Sequence, residues 1–139
     1  MSAPFEAQVL PQPEAISALT ERVMDYLTAS GVDTRAAHHV GLAFDELLTN
    51  LGSHGGSPDK PATVRVVIEP ERLLAEIRDH GPAFDIRKAA EPVLSQTIQD
   101  REIGGLGLFL IRQFAVEIGY ERRDGVNCTS FTILRKPSP

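Results

Sequence analysis

The chain has one cysteine in 139 residues, Cys128. A single thiol closes no internal disulfide and builds no thiolate zinc cluster. Within a strand-like run it reads as a small buried hydrophobe. An excess of positive charge is missing too: 14 Lys and Arg stand against 19 Asp and Glu, for a formal charge of −5. That balance leaves no electrostatic footprint for nucleic acid. Arg122-Arg123 and Arg135-Lys136 are adjacent basic pairs, each read as a solvated strand end. No stretch approaches a membrane span. The first residues, with Pro4, Pro11 and Pro13 and no basic leader, do not make a signal peptide. Repeats and low-complexity linkers are also lacking. What is present, 42% hydrophobic and 24% charged residues, suits one globular domain spanning 1–139 and expected in the cytoplasm.

Periodicity supplies the elements. Phe5 to Leu10 alternates weakly, as a short strand would. From Glu14 to about Ser30, Ile16, Leu19, Val23 and Leu27 form one helical stripe, with Gly31 as its stop. Asp33 or Thr34 can cap a second helix, which is expected to bury Val40, Phe44, Leu47 and Leu51 and to fray at Gly52 to Gly56. Ala62–Glu69 and Leu73–Asp79 read as strands around a Pro70-Glu71 turn. Asp85 to Ile103 has little periodicity beyond a short helix near Ile86 to Glu91, and its length fits a lid or binding segment. A helix over Leu106 to about Ala115 follows. Val116–Arg123 and Val126–Leu134 then flank the hairpin signal Asp124-Gly125. The order β-α-α-β-β-lid-α-β-β predicts an α+β fold, a two-layer sandwich with helices on one face of a mostly antiparallel sheet.

Three clusters carry chemistry. Glu46 and Asn50 are four apart, one above the other on a helix, at the shoulder of the apolar stripe. Asn offers a neutral oxygen suited to Mg²⁺, and a carboxylate one turn away can take a proton from a hydroxyl. A solvated polar pair explains the same spacing. Asp79 shares strand parity with Leu73, Ala75 and Ile77, so its carboxylate falls on the face expected to be buried. It either begins a turn through His80-Gly81-Pro82 or faces a partner such as a purine amino group, with Gly81 admitting close approach. Gly104, Gly105 and Gly107 open an apolar helix, either as a phosphate cradle or for close packing and a hinge. His54 lies one turn beyond Asn50, to touch phosphate or cap the helix. His38, His39, His54 and His80 have no metal-site spacing.

Glu46-x-x-x-Asn50-x-x-x-His54-Gly55, Asp79-x-Gly81-x-x-Phe84-Asp85 and Gly104-Gly-Leu-Gly-Leu108 resemble the N box and the two glycine boxes of the GHKL ATPase superfamily. That superfamily includes gyrase, histidine kinases, mismatch-repair ATPases and bacterial anti-sigma-factor serine kinases. The ending Tyr120-Glu-Arg-Arg-Asp-Gly-Val-Asn127 is most similar to the last group, and the likeness covers about 14–135. The resemblance implies a GHKL two-layer fold binding ATP and Mg²⁺, with a lid over about 85–104. Asn50 would be the metal ligand, Glu46 the general base and Asp79 the partner of the adenine amino group. His54, Gly81, Phe84, Gly104, Gly105, Leu106, Gly107 and Leu108 would frame the nucleotide. Lys88 is the only lysine of the lid, so Arg101 is the candidate for the γ-phosphate. Implied partners are an anti-sigma antagonist of STAS type, phosphorylated on serine, a sigma factor held in the alternative complex, and a second copy in a homodimer. A nucleotide-gated binding module without phosphoryl transfer is the competing expectation. The ATPase portion of a histidine kinase is disfavoured, because no phospho-acceptor hairpin precedes the domain and the first helix has no histidine.

Overall fold

The computed structural model describes residues 3–53, 59–88 and 105–136. Proline starts the first helix. Pro13 stands in the first turn of α1 (Pro13–Ala29), where its fixed φ suits the helix and its missing N–H costs nothing. Ile16, Leu19, Val23 and Leu27 form the buried stripe that the spacing predicts. At the far end Gly31 takes φ 84°. The Val32 N–H donates to the Leu27 carbonyl and the Gly31 N–H to the Thr28 carbonyl, each at 3.0 Å, with Val32 packed under Leu27. Asp33 then caps α2 (Thr34–Ser53), its Oδ1 accepting the Arg35 N–H at 2.8 Å.

β1 (Phe5–Val9), β2 (Ala62–Ile68), β3 (Arg72–Asp79), β4 (Glu117–Arg123) and β5 (Val126–Leu134) form one antiparallel sheet in the order β1-β2-β3-β5-β4. Val64 and Val66, Leu73, Ala75 and Ile77, and Phe131 and Ile133 alternate onto the buried face, where they meet the stripes of α1 and α2. Phe44 sits edge-on to Phe131, ring centroids 5.7 Å apart. The result is the two-layer α+β sandwich expected from the order of elements. Asp124 and Gly125, at φ 54° and 78°, make the tight turn between β4 and β5; paired positive φ values match the twist of the strands.

α3 (Gly105–Phe114) lies along α2. His39 stacks on Phe114 at the start of α2, and Glu46 meets Gly107 two turns later, so the two helices run in opposite directions. A 3₁₀ turn (Ile86–Lys88) stands where the short helix near Ile86 is expected, with Ile86 buried.

Four local expectations change. Leu48, not Leu47 or Leu51, completes the buried stripe of α2. Leu47 and Leu51 are half-buried, because α2 is packed by α1 and α3 as well as the sheet and its covered arc is wider than one stripe. The same arc takes in Asn50, which is 6% exposed and stands at the shoulder where core meets cleft, as its spacing predicts; the solvated pair is the reading that falls. α2 also continues through Gly52, where a Cβ would lie 2.6 Å from the Pro11 carbonyl oxygen. Glycine there serves the close passage of the chain before α1. Cys128 is half-buried on the outer face of the sheet, opposite in parity to Asn127 and Thr129. Finally, Arg122 is more than a solvated strand end, since its guanidinium reaches back to the loop after β3.

Candidate active site

At the edge between α2 and the sheet a cleft opens to solvent. Leu47, Asn50 and Leu51 of α2 form one wall, and Ile77, Asp79, Asn127 and Thr129 of the sheet form the other. Pro82, Ala83, Phe84 and Ile86 close a third side. Apolar walls with a few converging polar groups are the usual build of a small-molecule site. Asn50, Asn127 and Thr129 are among the few polar residues that the fold buries.

The sheet wall is ordered by register. Asp79 on β3 is opposite Asn127 on β5, which is opposite Arg122 on β4. Asp79 Oδ1 accepts the Gly81 N–H at 2.9 Å and the Asn127 Nδ2 at 2.9 Å. Asp79 therefore starts the turn that its sequence position allowed, on the buried-face side of its strand. Asn127 Nδ2 also lies 3.2 Å from the Gly81 carbonyl and 2.9 Å from the Pro82 carbonyl. Arg122 Nη1 donates to Asn127 Oδ1 at 2.8 Å and to the Gly81 carbonyl at 3.0 Å. The Tyr120 hydroxyl donates to Asn127 Oδ1 and accepts the Phe84 N–H at 3.3 Å. The loop that carries Gly81 and Phe84 is thus tied to the sheet at each step.

The helix wall is the opposite case. His39 Nδ1, Glu46 Oε1 and Asn50 Oδ1 are buried without a hydrogen-bond partner among the described residues. Residues 39, 46 and 50 share one stripe of α2. Glu46 meets Gly107 in the first turns of α3, and Asn50 faces the cleft. Buried polar atoms are normally paired, so a stripe that leaves three unpaired among the described residues asks for a reason beyond packing at Glu46 and Asn50. Burial, and then the neighbouring Asp45, raises the pKa of Glu46 above its ordinary value. A carboxyl shifted upward is poised to exchange protons nearer neutral pH.

Residues 9–133 match the family model of the histidine kinase-like ATPase domain. The chain belongs to that family. It is 37% identical over 98 residues to the serine/threonine-protein kinase BtrW of Bordetella bronchiseptica, 69% of each chain. It is 25% identical over 126 residues to the serine-protein kinase RsbW of Listeria monocytogenes, covering 86% of this chain and 80% of that one. Its fold resembles part of a solved structure of the RsbU and RsbW domains of Rv1364c from Mycobacterium tuberculosis, with a TM-score of 0.68 at 15% identity. That likeness covers 99% of this chain and 34% of the other, so the chain spans about a third of that structure.

Against this histidine kinase-like frame, Asn50, Asp79 and Phe84 meet on the cleft, and Gly81 lies just behind it in the turn held by Asp79. Glu46 and Gly107 contact each other, and neither belongs to the cleft wall. Gly105 and Leu106 begin α3. Leu108 is packed into the hydrophobic core at 8% exposure, which gives it an anchoring position for α3. His54, Arg101 and Gly104 lie outside the described residues, as does most of the expected lid. Asn127, Thr129, Tyr120 and Arg122 were not among the residues expected at the site. Asn127 had a legible signal: a hairpin centred on Asp124-Gly125 puts it opposite Arg122, on the strand that pairs with β3. Tyr120 had less, since its role depends on where the loop after Asp79 folds.

Proposed function

We propose that this chain is an ATP- and Mg²⁺-dependent serine/threonine-protein kinase of the cytoplasm. In this reading it phosphorylates a serine on an anti-sigma antagonist of STAS type and, in the alternative complex, sequesters a sigma factor. The observation that carries it is the Oδ1 of Asn50, buried and without a partner among the described residues, on a side chain that lines the same cleft as Asp79, with Glu46 one turn before it on α2. A neutral oxygen already stripped of water and of hydrogen-bond partners fits a hard cation, and Mg²⁺ typically takes few protein ligands beside substrate phosphates. Kinship with BtrW and RsbW, both named as kinases of serine or serine/threonine in proteins, supports the same direction.

ATP supplies the phosphoryl group when bound, and Mg²⁺ the charge that offsets its oxygens. The roles of the chain's own residues follow from position. Asp79 offers a carboxylate oxygen to the adenine amino group, while Leu47, Leu51 and Ile77 exclude water from the base. Asn50 holds the cation. Glu46, its pKa raised by burial, accepts the proton of the substrate hydroxyl.

One observation favours the second reading, a nucleotide-gated binding module. Glu46 is covered by Gly107, and a base that stays covered transfers no proton. Incubation with γ-labelled ATP, Mg²⁺ and the cognate antagonist separates the two. Label on an antagonist serine supports the kinase; tight nucleotide-dependent binding with no label supports the module.

A further inference from the structure

Asn127 is the most connected polar side chain near the cleft, and the proposed chemistry gives it no role. It is 2% exposed. Its amide stands between two groups of opposite hydrogen-bonding character. On one side is the guanidinium of Arg122, which can only donate; on the other is the carboxylate of Asp79, with Oδ1 accepting. We propose that Asn127 is a positioning residue that sets nucleotide selectivity by fixing the orientation of Asp79. This rests on the reading of Asp79 as the group that faces adenine.

The amide cannot flip. Its Oδ1 accepts from Arg122 Nη1 and from the Tyr120 hydroxyl, and turning it over would set its NH₂ against the donor-only guanidinium. On the other side the same flip would turn Oδ1 toward Asp79 Oδ1 and the Gly81 and Pro82 carbonyls. Arg122 therefore chooses the face, and Asn127 passes that choice on as a donor.

Asp79 receives it. Two donors, Gly81 N–H and Asn127 Nδ2, converge on one oxygen, Oδ1. Rotating the carboxylate would lose at least one of them, and neither bond uses Oδ2. Held through Oδ1, Asp79 has Oδ2 left as the oxygen it can offer a ligand in the cleft that it lines. Such an atom pairs with the amino group of adenine. It repels the carbonyl oxygen that guanine carries at the corresponding position, leaving both groups unpaired.

Asn127→Asp keeps the shape and deletes the donor. Its new oxygen faces Asp79 Oδ1, so the two carboxyl groups share a proton or Asp79 turns away. In either case Oδ2 is no longer a fixed acceptor. The probes are ADP and GDP, titrated by calorimetry into the whole chain, so that no transfer activity enters the readout. The wild-type protein is expected to prefer ADP by about tenfold or more. Asn127→Asp should bring the ADP-to-GDP ratio close to one, through weaker ADP binding rather than through both nucleotides. Arg122→Ala changes an exposed side chain and should lower the ratio by a smaller factor in the same sense. If Asn127→Asp does not fold, Arg122→Ala decides: a lowered ratio supports the proposal and an unchanged one overturns it. Equal losses for ADP and GDP in folded Asn127→Asp would make Asn127 a strut of the turn and overturn the selectivity role. A wild-type preference that survives Asn127→Asp overturns the proposal alone. No preference in the wild type removes Asp79 from the adenine role and takes the proposal with it.

Discussion

The carboxyl group of Glu46 occupies the space that a side chain at Gly107 would need: a Cβ built there collides with Cδ, Cγ and Oε2 of Glu46. Two of the sequence boxes, far apart in the chain, thereby touch through an absent methyl group. In Gly107→Ala the flexible end of Glu46 must leave or α3 must shift, and misfit of this kind typically costs about 1–3 kcal/mol. We expect a lower melting temperature and slower phosphoryl transfer. Shortening the acid in Gly107→Ala/Glu46→Asp should recover much of the stability. Thermal melts of the two variants check this, and a double variant no more stable than Gly107→Ala would show that the cost lies elsewhere in α3.

Glu46→Gln should uncouple stability from activity. Because burial raises the pKa of Glu46 above 4.5, the folded state holds its proton more tightly than the unfolded chain does. Its favourable term is complete below 4.5 and is lost as pH rises through the shifted value. At neutral pH, ionised Glu46 therefore costs stability, and Gln, which needs no ionisation, relieves that cost. Urea midpoints of Glu46→Gln should exceed those of the wild type near pH 7 and converge with them near pH 4. Phosphoryl transfer to the antagonist should fall by roughly 10²–10⁴-fold, the usual contribution of a positioned general base. A variant that gains nothing at neutral pH would contradict the burial of an ionised carboxyl.

Much of this arrangement was legible because it depends on period and parity. The stripe of α1, the Asp124-Gly125 turn and the placing of Asp79 on the inner face of β3 need only local rules. The spacing also puts Asn50 at the shoulder where core meets cleft, but nothing in its own turn shows that α3 and the sheet both close on α2 and bury it so fully. Leu47 and Leu51 were assigned to the core for the same reason, and they instead line the cleft. Gly107 was legible as a glycine needed for closeness, but the sequence does not say what comes close. Asn127 depends on two strand registers at once, and so escaped a reading made one element at a time.

His39 makes a prediction of the opposite sign to Glu46. Its ring stacks on Phe114 at 4.2 Å with 5° between planes, joining α2 to the end of α3. Burial first, and then the positive charges of Arg35 and His38, lower its pKa below 6.5. The folded state thus prefers neutral His39. The associated stability is complete above pH 6.5 and is lost as pH falls through the depressed value. His39→Phe keeps a flat ring on Phe114 and has nothing to protonate. Between about pH 8 and 5 its stability should decline less than that of the wild type. Parallel decline of the two proteins would place the acid sensitivity elsewhere.

Asn50→Leu sets the fold against the metal. Among the described residues Asn50 Oδ1 is buried without a partner, so there the fold bears the cost of desolvating an acceptor that it does not use. Leucine has nearly the same shape and no acceptor, and replacing an unsatisfied polar group in this way stabilises by about 1 kcal/mol. The nucleotide-free variant should therefore melt higher than the wild type. It should also lose the dependence on Mg²⁺: if Asn50 ligates the cation, adding Mg²⁺ tightens nucleotide binding in the wild type and leaves Asn50→Leu unchanged. Calorimetric titrations of ATP with Mg²⁺ and with a chelator, beside melts without nucleotide, give both numbers from one preparation. The two effects have separate causes. Higher stability with Mg²⁺ dependence intact would keep Asn50 as a buried acceptor and move the cation to another residue. Lower stability would mean that Asn50 supports the fold of α2 after all, through its amide rather than through the idle oxygen.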